Sequence, residues 1–382
     1  MSKKLIKQVR KSFREHFKSK PLIVFSPGRV NLIGEYTDFN EGFVFPAAID
    51  KGIALAIDKN HANMCQVLAL NKNEFHEFAL SDIQPLKNGT WKNYILGVVS
   101  EIQKNGRVLG NFNAVFAGNV PVGAGMSSSA ALENSFVFGL NELFNLRLSR
   151  HEMILISQKA EHNYAGVKCG IMDQYASMFG VKKSALLLDC RTLEAKRFKI
   201  DFGNYKLLLI NTNVQHDLSE SVYNDRRSVC EKAAKKLNIP ALRDASKEDL
   251  GNLKKNITEE DYQKVVYIIE ENERVTLFAK AIQQGDLKTL GKLMYQSHDG
   301  LSDQYKVSCV ELDFLVEKTK TNPDILGSRM MGGGFGGCTI NLIKKRAIEK
   351  FSKDIAKAYQ MEFNRNCSIY SVKLSDGTRI IN

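Results

Sequence analysis

Hydrophobic residues recur along the chain with two spacings, one typical of helices and one typical of strands. Leu5, Val9, Phe13 and Phe17 stand four residues apart among lysines and arginines, so the N-terminus is predicted to form an amphipathic helix packed on the body of the protein. Helices are further predicted at 94–102, from about 128, and at 153–161, 219–237, 259–284, 286–297 and 346–359. Strands are predicted at 22–25, 43–49, 112–117, 185–189, 205–211, 339–343 and 368–374.

Helices and strands alternate in both halves of the chain, which predicts an α+β or α/β fold. At 382 residues the chain is long enough for two domains and for a large core without disulfides. A turn at 201–204 precedes a predicted strand, and we place the division there, with domains at 1–205 and 206–382. No linker rich in proline, glycine or serine separates the halves, so the domains are expected to be in broad contact.

Composition excludes several classes of protein. Apolar residues make up 43% of the chain and charged residues 25%, and no apolar run reaches the roughly 20 residues of a membrane span. The basic N-terminus lacks a following apolar stretch, so a secretory signal is not expected. The seven cysteines, an odd number without a CxxC pair, are expected to be reduced thiols. We therefore expect a cytoplasmic protein that does not bind membranes.

The net charge of +12 is compatible with a nucleic acid, a membrane surface or an anionic small molecule as partner. Lysines and arginines are most frequent in the first 20 residues, where they lie on the solvent-exposed face of the predicted helix. Paired Cys/His fingers, aromatic RNA-binding blocks and basic heptads are absent from the sequence. We therefore expect a solvated basic surface and no nucleic-acid partner.

Three segments carry residues suited to chemistry, and the first is 26–43. It opens on the turn signal Pro27-Gly28 and continues into a polar loop that contains Glu35 and Asp38. Carboxylates accept hydrogen bonds from sugar hydroxyls without a metal, so this loop suits a polyhydroxylated ligand. Composition alone leaves a solvated turn equally open.

The second segment, 118–133, runs from a strand through Gly123 and Gly125 to three serines at 127–129 and a predicted helix. Amide groups at a helix N-terminus attract anions, and glycines let a phosphate approach the backbone. The segment matches neither GxxxxGK[ST] nor GxGxxG. A helix cap without a ligand stays open as the alternative.

The third segment, 327–340, has five glycines between positions 332 and 337. Ordering so many glycines is costly in conformational entropy. We therefore expect a loop that must approach another backbone or a ligand closely, with a plain turn as the alternative.

In this order, the three segments resemble the signature motifs of the GHMP small-molecule kinases. The first, with PGRVNLIGE followed by Thr37 and Asp38, looks like the signature of the galactokinase family. Residues 161–174 and 219–227 are similar to two further galactokinase stretches, so the resemblance extends from about residue 20 to the C-terminus.

The resemblance implies a role for each matching residue. Asp173 would be the catalytic aspartate that faces the anomeric hydroxyl, with Arg29 beside it. The galactose pocket would be lined by Glu35, Tyr36, Thr37, Asp38, Gly170, Asp173 and Tyr223. ATP would be held by Gly123, Ala124, Gly125, Met126, Ser127, Ser128 and Ser129, with Trp91 near the adenine. Magnesium would be bound by Ser129 and Glu161.

The resemblance also implies a fold and an activity. The fold is the two-lobed α+β GHMP kinase fold, with an N-lobe like domain 2 of ribosomal protein S5 and a ferredoxin-like C-lobe. The activity is phosphorylation of the C1 hydroxyl of α-D-galactose by ATP and Mg²⁺, the first step of the Leloir pathway, by a monomer whose ligands are galactose and ATP.

One residue departs from the family pattern, which usually has histidine where this chain has Tyr36. A change in sugar preference is therefore an alternative, with N-acetylgalactosamine or a pentose as substrate. A non-catalytic galactose sensor is the other alternative, and the unbroken serine run at 127–129 argues against it.

Overall fold

The structure is a computed structural model that describes residues 3–121, 123–215 and 219–382. Its helices are α1 (Lys3–Phe17), α2 (Thr90–Lys104), α3 (Ser128–Phe144), α4 (Arg150–Ala160), α5 (Met172–Phe179), α6 (Ser219–Leu237), α7 (Lys247–Leu253), α8 (Glu259–Gln284), α9 (Leu287–Asp299), α10 (Val310–Lys320) and α11 (Ile348–Phe363). Its strands are β1 (Leu22–Asn31), β2 (Phe43–Val44), β3 (Pro46–Lys59), β4 (Cys65–Ala69), β5 (Glu74–Phe78), β6 (Phe112–Gly118), β7 (Ser184–Asp189), β8 (Ala195–Lys199), β9 (Tyr205–Gln215), β10 (Ile325–Met331), β11 (Gly336–Lys344), β12 (Ser368–Ser371) and β13 (Arg379–Ile380).

A six-stranded sheet with the order β13-β1-β3-β6-β4-β5 organises the first half. The predicted amphipathic helix α1 packs on one face of this sheet through Leu5, Val9 and Phe13. Helices α2 and α3 pack on the opposite face, because alternate residues of each strand point to opposite sides. The sheet is thus covered on both faces, and the serine run stands at the N-terminus of α3.

A second, antiparallel sheet with the order β10-β11-β9-β12 organises the other half. Along the chain, β9 is followed by α6 to α10, then by β10, β11, α11 and β12. This β-α-β-β-α-β sequence with its two central strands β11 and β9 is the ferredoxin-like arrangement. The expectation for the C-terminal lobe is therefore confirmed, as is the mixed α+β character of the chain.

The two halves are in broad contact, as the lack of a linker predicted. The last strand, β13, returns to the first sheet and pairs with β1, Val24 opposite Ile380. One hydrophobic core combines side chains from β1 and β3 with others from α8, α9, β9 and β11. The proposed division falls at Tyr205, the first residue of β9, and stays a prediction.

Some elements differ from those predicted. The strand expected at 43–49 is two strands, β2 and the much longer β3. The elements that were not predicted are β4, β5, β8, β10, β13, α5, α7 and α10. The glycine-rich segment is a loop only at 332–335, because its flanks belong to β10 and β11. All seven cysteines are free thiols. Among the described residues, no helix has both the length and the apolar character needed to cross a membrane.

The crossing of α9 over β10 provides a test of the packing. A Cβ on Gly291 would lie 1.9 Å from the carbonyl oxygen of Leu326, so Gly291→Ala should lower the free energy of unfolding by about 1–3 kcal/mol, measured by urea denaturation. Gly251 in α7 has open space at its Cβ, and Gly251→Ala should raise that free energy by up to about 1 kcal/mol. Equal effects of the two changes would contradict the packing.

Candidate active site

An ion pair between the buried Arg29 and the partly buried Asp173 lies at the centre of the site. Arg29 on β1 donates to both carboxylate oxygens of Asp173 in the first turn of α5, with Nε–Oδ1 at 2.8 Å and Nη2–Oδ2 at 3.1 Å. Its Nη1 donates to the carbonyl oxygen of Gly125. Burial lowers the pKa of Arg29, but the carboxylates of Asp173 and Glu35 outweigh this effect and raise it, so the guanidinium is charged.

The position of Arg29 depends on the two residues before it, for which the sequence prediction was wrong. Pro27 and Gly28 do not form a turn but lie inside β1, where the pairing with β3 shifts between Pro27 and Arg29. A Cβ on Gly28 would lie 2.4 Å from the carbonyl oxygen of Met126. Arg29 N donates to that same oxygen at 3.1 Å. Glycine is therefore required here because another backbone crosses the strand.

The loop that crosses there, residues 123–127, leads into α3 and is called the α3 loop below. Gly123, Gly125 and Ser127 have positive φ angles of 67°, 65° and 56°. Ser127 occupies the N-cap position of α3 but its hydroxyl makes no cap bond, because it donates to Asp173 Oδ2 at 2.5 Å. The helix N-terminus is thus left without a side-chain cap, which suits an anionic ligand.

A cleft of about 330 Å³ opens beside the ion pair. The described residues that line it are Arg29, Tyr94, Val120, Pro121, Gly123, Ala124, Gly125, Met126, Ser127, Ser128, Ser129, Asp173, Gly332 and Gly333. The structure therefore brings the predicted catalytic pair and all seven predicted phosphate-binding residues to one place. The third segment contributes Gly332 and Gly333 to the lining of the same cleft.

Asp38 and Gly170 are in contact, and Asp38 lies near enough to Asp173 to respond to its charge. A Cβ on Gly170 would lie 2.0 Å from the carboxylate of Asp38, so a larger residue would displace that carboxylate. Burial, followed by the negative charge of Asp173, raises the pKa of Asp38 to about 7. Two carboxyl groups therefore share one small space, where hydroxyl donors from a ligand would stabilise both.

The remaining predicted sugar-binding residues make contacts within the protein. Glu35 forms an ion pair with the fully buried Arg329 at 3.2 Å. The Thr37 hydroxyl donates to the backbone carbonyl of Phe43 at 2.7 Å. Tyr223, on α6, has its ring centroid 5.2 Å from that of Tyr36. Their roles as sugar contacts stay predictions.

A second group of buried carboxyls lies behind the serine run. Glu161 hydrogen-bonds to Ser129, and burial, together with the charge of Asp173, raises its pKa to about 7. The Gln174 amide joins it to Glu133, with Nε2 at 2.7 Å from Glu161 Oε2 and 3.3 Å from Glu133 Oε2. Burial, followed by the charge of Glu161, raises the pKa of Glu133 well above its ordinary value.

Sequence reasoning missed Glu133, Gln174 and Arg329 as parts of the site. A signal existed for Glu133, which follows Ser129 by four residues in α3 and therefore lies on the same helix face. Nothing in the sequence indicates that Arg329 belongs to the site, because an arginine within a glycine-rich segment has no typical partner.

Trp91 is placed apart from the other predicted residues. Its ring packs in the core 5.3 Å from that of Phe116, and its Nε1 donates to Glu74 at 2.7 Å. Tyr94, one turn further along α2, lines the cleft instead. The expected contact of Trp91 with an adenine stays a prediction.

Three family descriptions match the chain. The galactokinase galactose-binding signature matches residues 11–59, the N-terminal domain of GHMP kinases matches 93–181, and their C-terminal domain matches 278–360. The first contains Arg29 and Asp38, and the second contains the α3 loop and Asp173. The expected GHMP kinase fold is confirmed.

Similar proteins cover nearly the whole chain. A galactokinase of Thermosipho africanus is 41% identical over 93% of this chain and 98% of its own, and one of Clostridium acetobutylicum is 38% identical over 97% and 96%. The crystal structure of Lactococcus lactis galactokinase complexed with galactose has a TM-score of 0.94 and 33% identity, and covers 97% of this chain and 98% of its own. The chain, with its Arg29–Asp173 pair, therefore belongs to the galactokinase family of GHMP kinases.

Proposed function

We propose that this chain transfers the terminal phosphoryl group of ATP to the C1 hydroxyl of α-D-galactose at the Arg29–Asp173 pair. The observation that carries the proposal is this ion pair, in which Arg29 also bonds to the α3 loop and Asp173 acts electrostatically on Asp38. The similarity to a galactokinase crystallised with galactose supports the choice of sugar.

Phosphoryl transfer requires positioning and electrostatic stabilisation more than covalent chemistry. The two hydrogen bonds from Arg29 and one from Ser127 leave Asp173 in one orientation, from which its carboxylate accepts the hydrogen bond of the attacking hydroxyl. Arg29 keeps its positive charge beside the same cleft, where it stabilises the phosphoryl group in transfer.

Ser129 and Glu161 fit a magnesium ion. Magnesium prefers oxygen ligands and is held by one or two carboxylates together with substrate phosphates. In the described structure, the side-chain partners of the buried Glu161 carboxylate are Ser129, Cys169, Gln174 and the carboxyl of Glu133, and none of them is a cation. When bound, the ion would offset negative charge on the β- and γ-phosphates of ATP.

Other predictions from the sequence accompany this function. A monomer, a cytoplasmic location and the absence of nucleic-acid partners stay predictions. Kinases for N-acetylgalactosamine or a pentose, and a non-catalytic sensor, are not favoured by any observation, and the serine run and the ion pair are both intact.

Asp173→Asn tests the catalytic centre. It should lower kcat by about 10²–10⁴-fold, the usual contribution of a positioned proton acceptor, while galactose binding stays measurable because asparagine keeps an oxygen for Arg29. Turnover is measured as galactose-dependent ADP release, and galactose binding by calorimetry. Asp201→Asn makes the same change in an exposed turn and should leave kcat unchanged. Near-normal turnover of Asp173→Asn would refute the assignment.

The pH dependence of galactose binding tests Asp38. Because its pKa is raised to about 7, the carboxyl is ionised above pH 7 and protonated below it, where it loses its capacity as a strong acceptor. The affinity for galactose should therefore fall by about tenfold from pH 8 to pH 6, in the absence of nucleotide and metal.

The control for this prediction uses the other carboxyl whose pKa is raised to about 7. Asp38→Asn should remove the pH dependence, whereas Glu161→Gln should retain it. A wild-type affinity that is constant between pH 6 and pH 8 would show that Asp38 does not bind the sugar as a carboxylate.

Glu161→Gln tests the magnesium site. Removal of the carboxylate charge should raise the Mg²⁺ concentration for half-maximal activity by about 10–100-fold. Glu142→Gln, at an exposed position of α3, is the matched control and should leave the requirement unchanged. An unchanged requirement in Glu161→Gln would place the metal elsewhere.

A further inference from the structure

The hairpin loop between β10 and β11, residues 332–335, is called the glycine loop and is held by two successive residues of the first segment. Glu35 Oε1 accepts from the backbone N–H of Gly332 at 3.0 Å. The hydroxyl of Tyr36 donates to the carbonyl oxygen of Gly333 at 2.6 Å. One side of the glycine loop is therefore attached directly to the predicted sugar-binding residues.

The other side of the glycine loop touches the α3 loop, backbone against backbone. A Cβ on Gly332 would lie 3.2 Å from Gly125 Cα, and a Cβ on Gly125 would lie 2.9 Å from the carbonyl oxygen of Met331. A Cβ on Gly337 would lie 3.2 Å from the carbonyl oxygen of Gly123. No side chain separates the two loops at these points, so a displacement of one must be followed by the other.

Of the two attachments, that of Glu35 is part of a buried polar network. Its ion-pair partner Arg329 precedes the glycine loop on β10 and is fully buried. Arg329 Nε donates to Ser297 Oγ at 3.2 Å, and Nη1 donates to the carbonyl oxygen of Asn31 at 3.0 Å. Glu35 thus belongs to a buried network that joins β10 to α9 and β1.

The attachment of Tyr36 is a single hydrogen bond from a buried side chain. Tyr36 has a φ of +67°, a left-handed conformation that is strained for a bulky residue. Its ring packs against those of Phe39, Tyr223 and Tyr305, with centroids 4.7–6.1 Å away, within a buried hydrophobic cluster. Its hydroxyl holds the glycine loop through the single hydrogen bond to Gly333, which also lines the cleft.

We propose that Tyr36 is a positioning residue that couples the galactose and nucleotide sites, through its hydrogen bond to the glycine loop. This rests on the proposed function, in which Tyr36 faces the sugar and the α3 loop holds the phosphates. A sugar that contacts Tyr36 and favours its hydrogen bond to Gly333 also favours the position of the glycine loop that lines the phosphate cleft. By linkage, galactose then increases the affinity for the nucleotide, and the nucleotide increases the affinity for galactose by the same factor.

The test is a calorimetric cycle on the full chain with galactose and Mg·ADP as probes, each titrated alone and with the other saturating. In the wild type, each ligand should increase the affinity for the other by about fivefold or more. Tyr36→Phe removes only the hydroxyl and should reduce this factor to about one, with the affinity for Mg·ADP alone changed by less than about twofold.

Tyr305→Phe is the matched control, because its ring lies in the same cluster while its hydroxyl faces Cys230 Sγ at 3.7 Å. It should retain the wild-type factor. A wild type that phosphorylates galactose but binds Mg·ADP equally with and without the sugar would overturn the coupling alone, as would full coupling in Tyr36→Phe. A wild type that neither binds nor phosphorylates galactose would overturn the proposed function and the coupling with it.

Discussion

The bidentate ion pair between Arg29 and Asp173 is the contact on which the arrangement of the site depends. It connects β1 with α5 across 144 residues of chain, and the third donor of Arg29 adds the α3 loop. Arg29 is buried and Asp173 is partly buried, so loss of Asp173 would leave a buried charge without its bidentate partner. The pair therefore holds three distant segments together, and the cleft exists between them.

Negative charge is concentrated around this pair. The carboxyls of Asp38, Glu133 and Glu161 are all buried, and burial raises the pKa of each. Such groups are costly in an empty protein and are stabilised when a ligand brings hydroxyl donors or a cation. The Asp38 side of the site is suited to a sugar, and the Glu161 side to a metal ion with phosphates.

The positive charge at the N-terminus does not lie at the cleft, although the net charge of the chain is compatible with an anionic partner. The lysines and arginines of the N-terminus belong to α1, which packs on the face of the six-stranded sheet opposite to α3. They therefore lie away from the α3 loop. Among the described residues that line the cleft, the positively charged side chain is Arg29. The backbone amides at the start of α3 complete the anion-binding surface.

The sequence by itself determined the order of the main helices and strands, the amphipathic character of α1 and the three segments that form the site. These features depend on local periodicity and on residues with restricted or unusual backbone conformations. Close backbone approach was predicted correctly for the glycine-rich segment but not for Pro27-Gly28, which has the composition of a turn and lies in a strand. The requirement for glycine at position 28 comes from the backbone of Met126, which crosses β1 there. The local sequence does not distinguish this strand from a turn.

Only the tertiary structure decided which residues meet. The bond from Ser127 to Asp173, the ion pair of Glu35 with Arg329 and the bond from Tyr36 to Gly333 each join residues that are far apart in the chain. Local propensity contains no information about such partners, because a buried polar group can be satisfied by any donor or acceptor that the fold brings near. The chemistry of the side chains was therefore readable from the sequence, while their pairing into one site was a property of the fold.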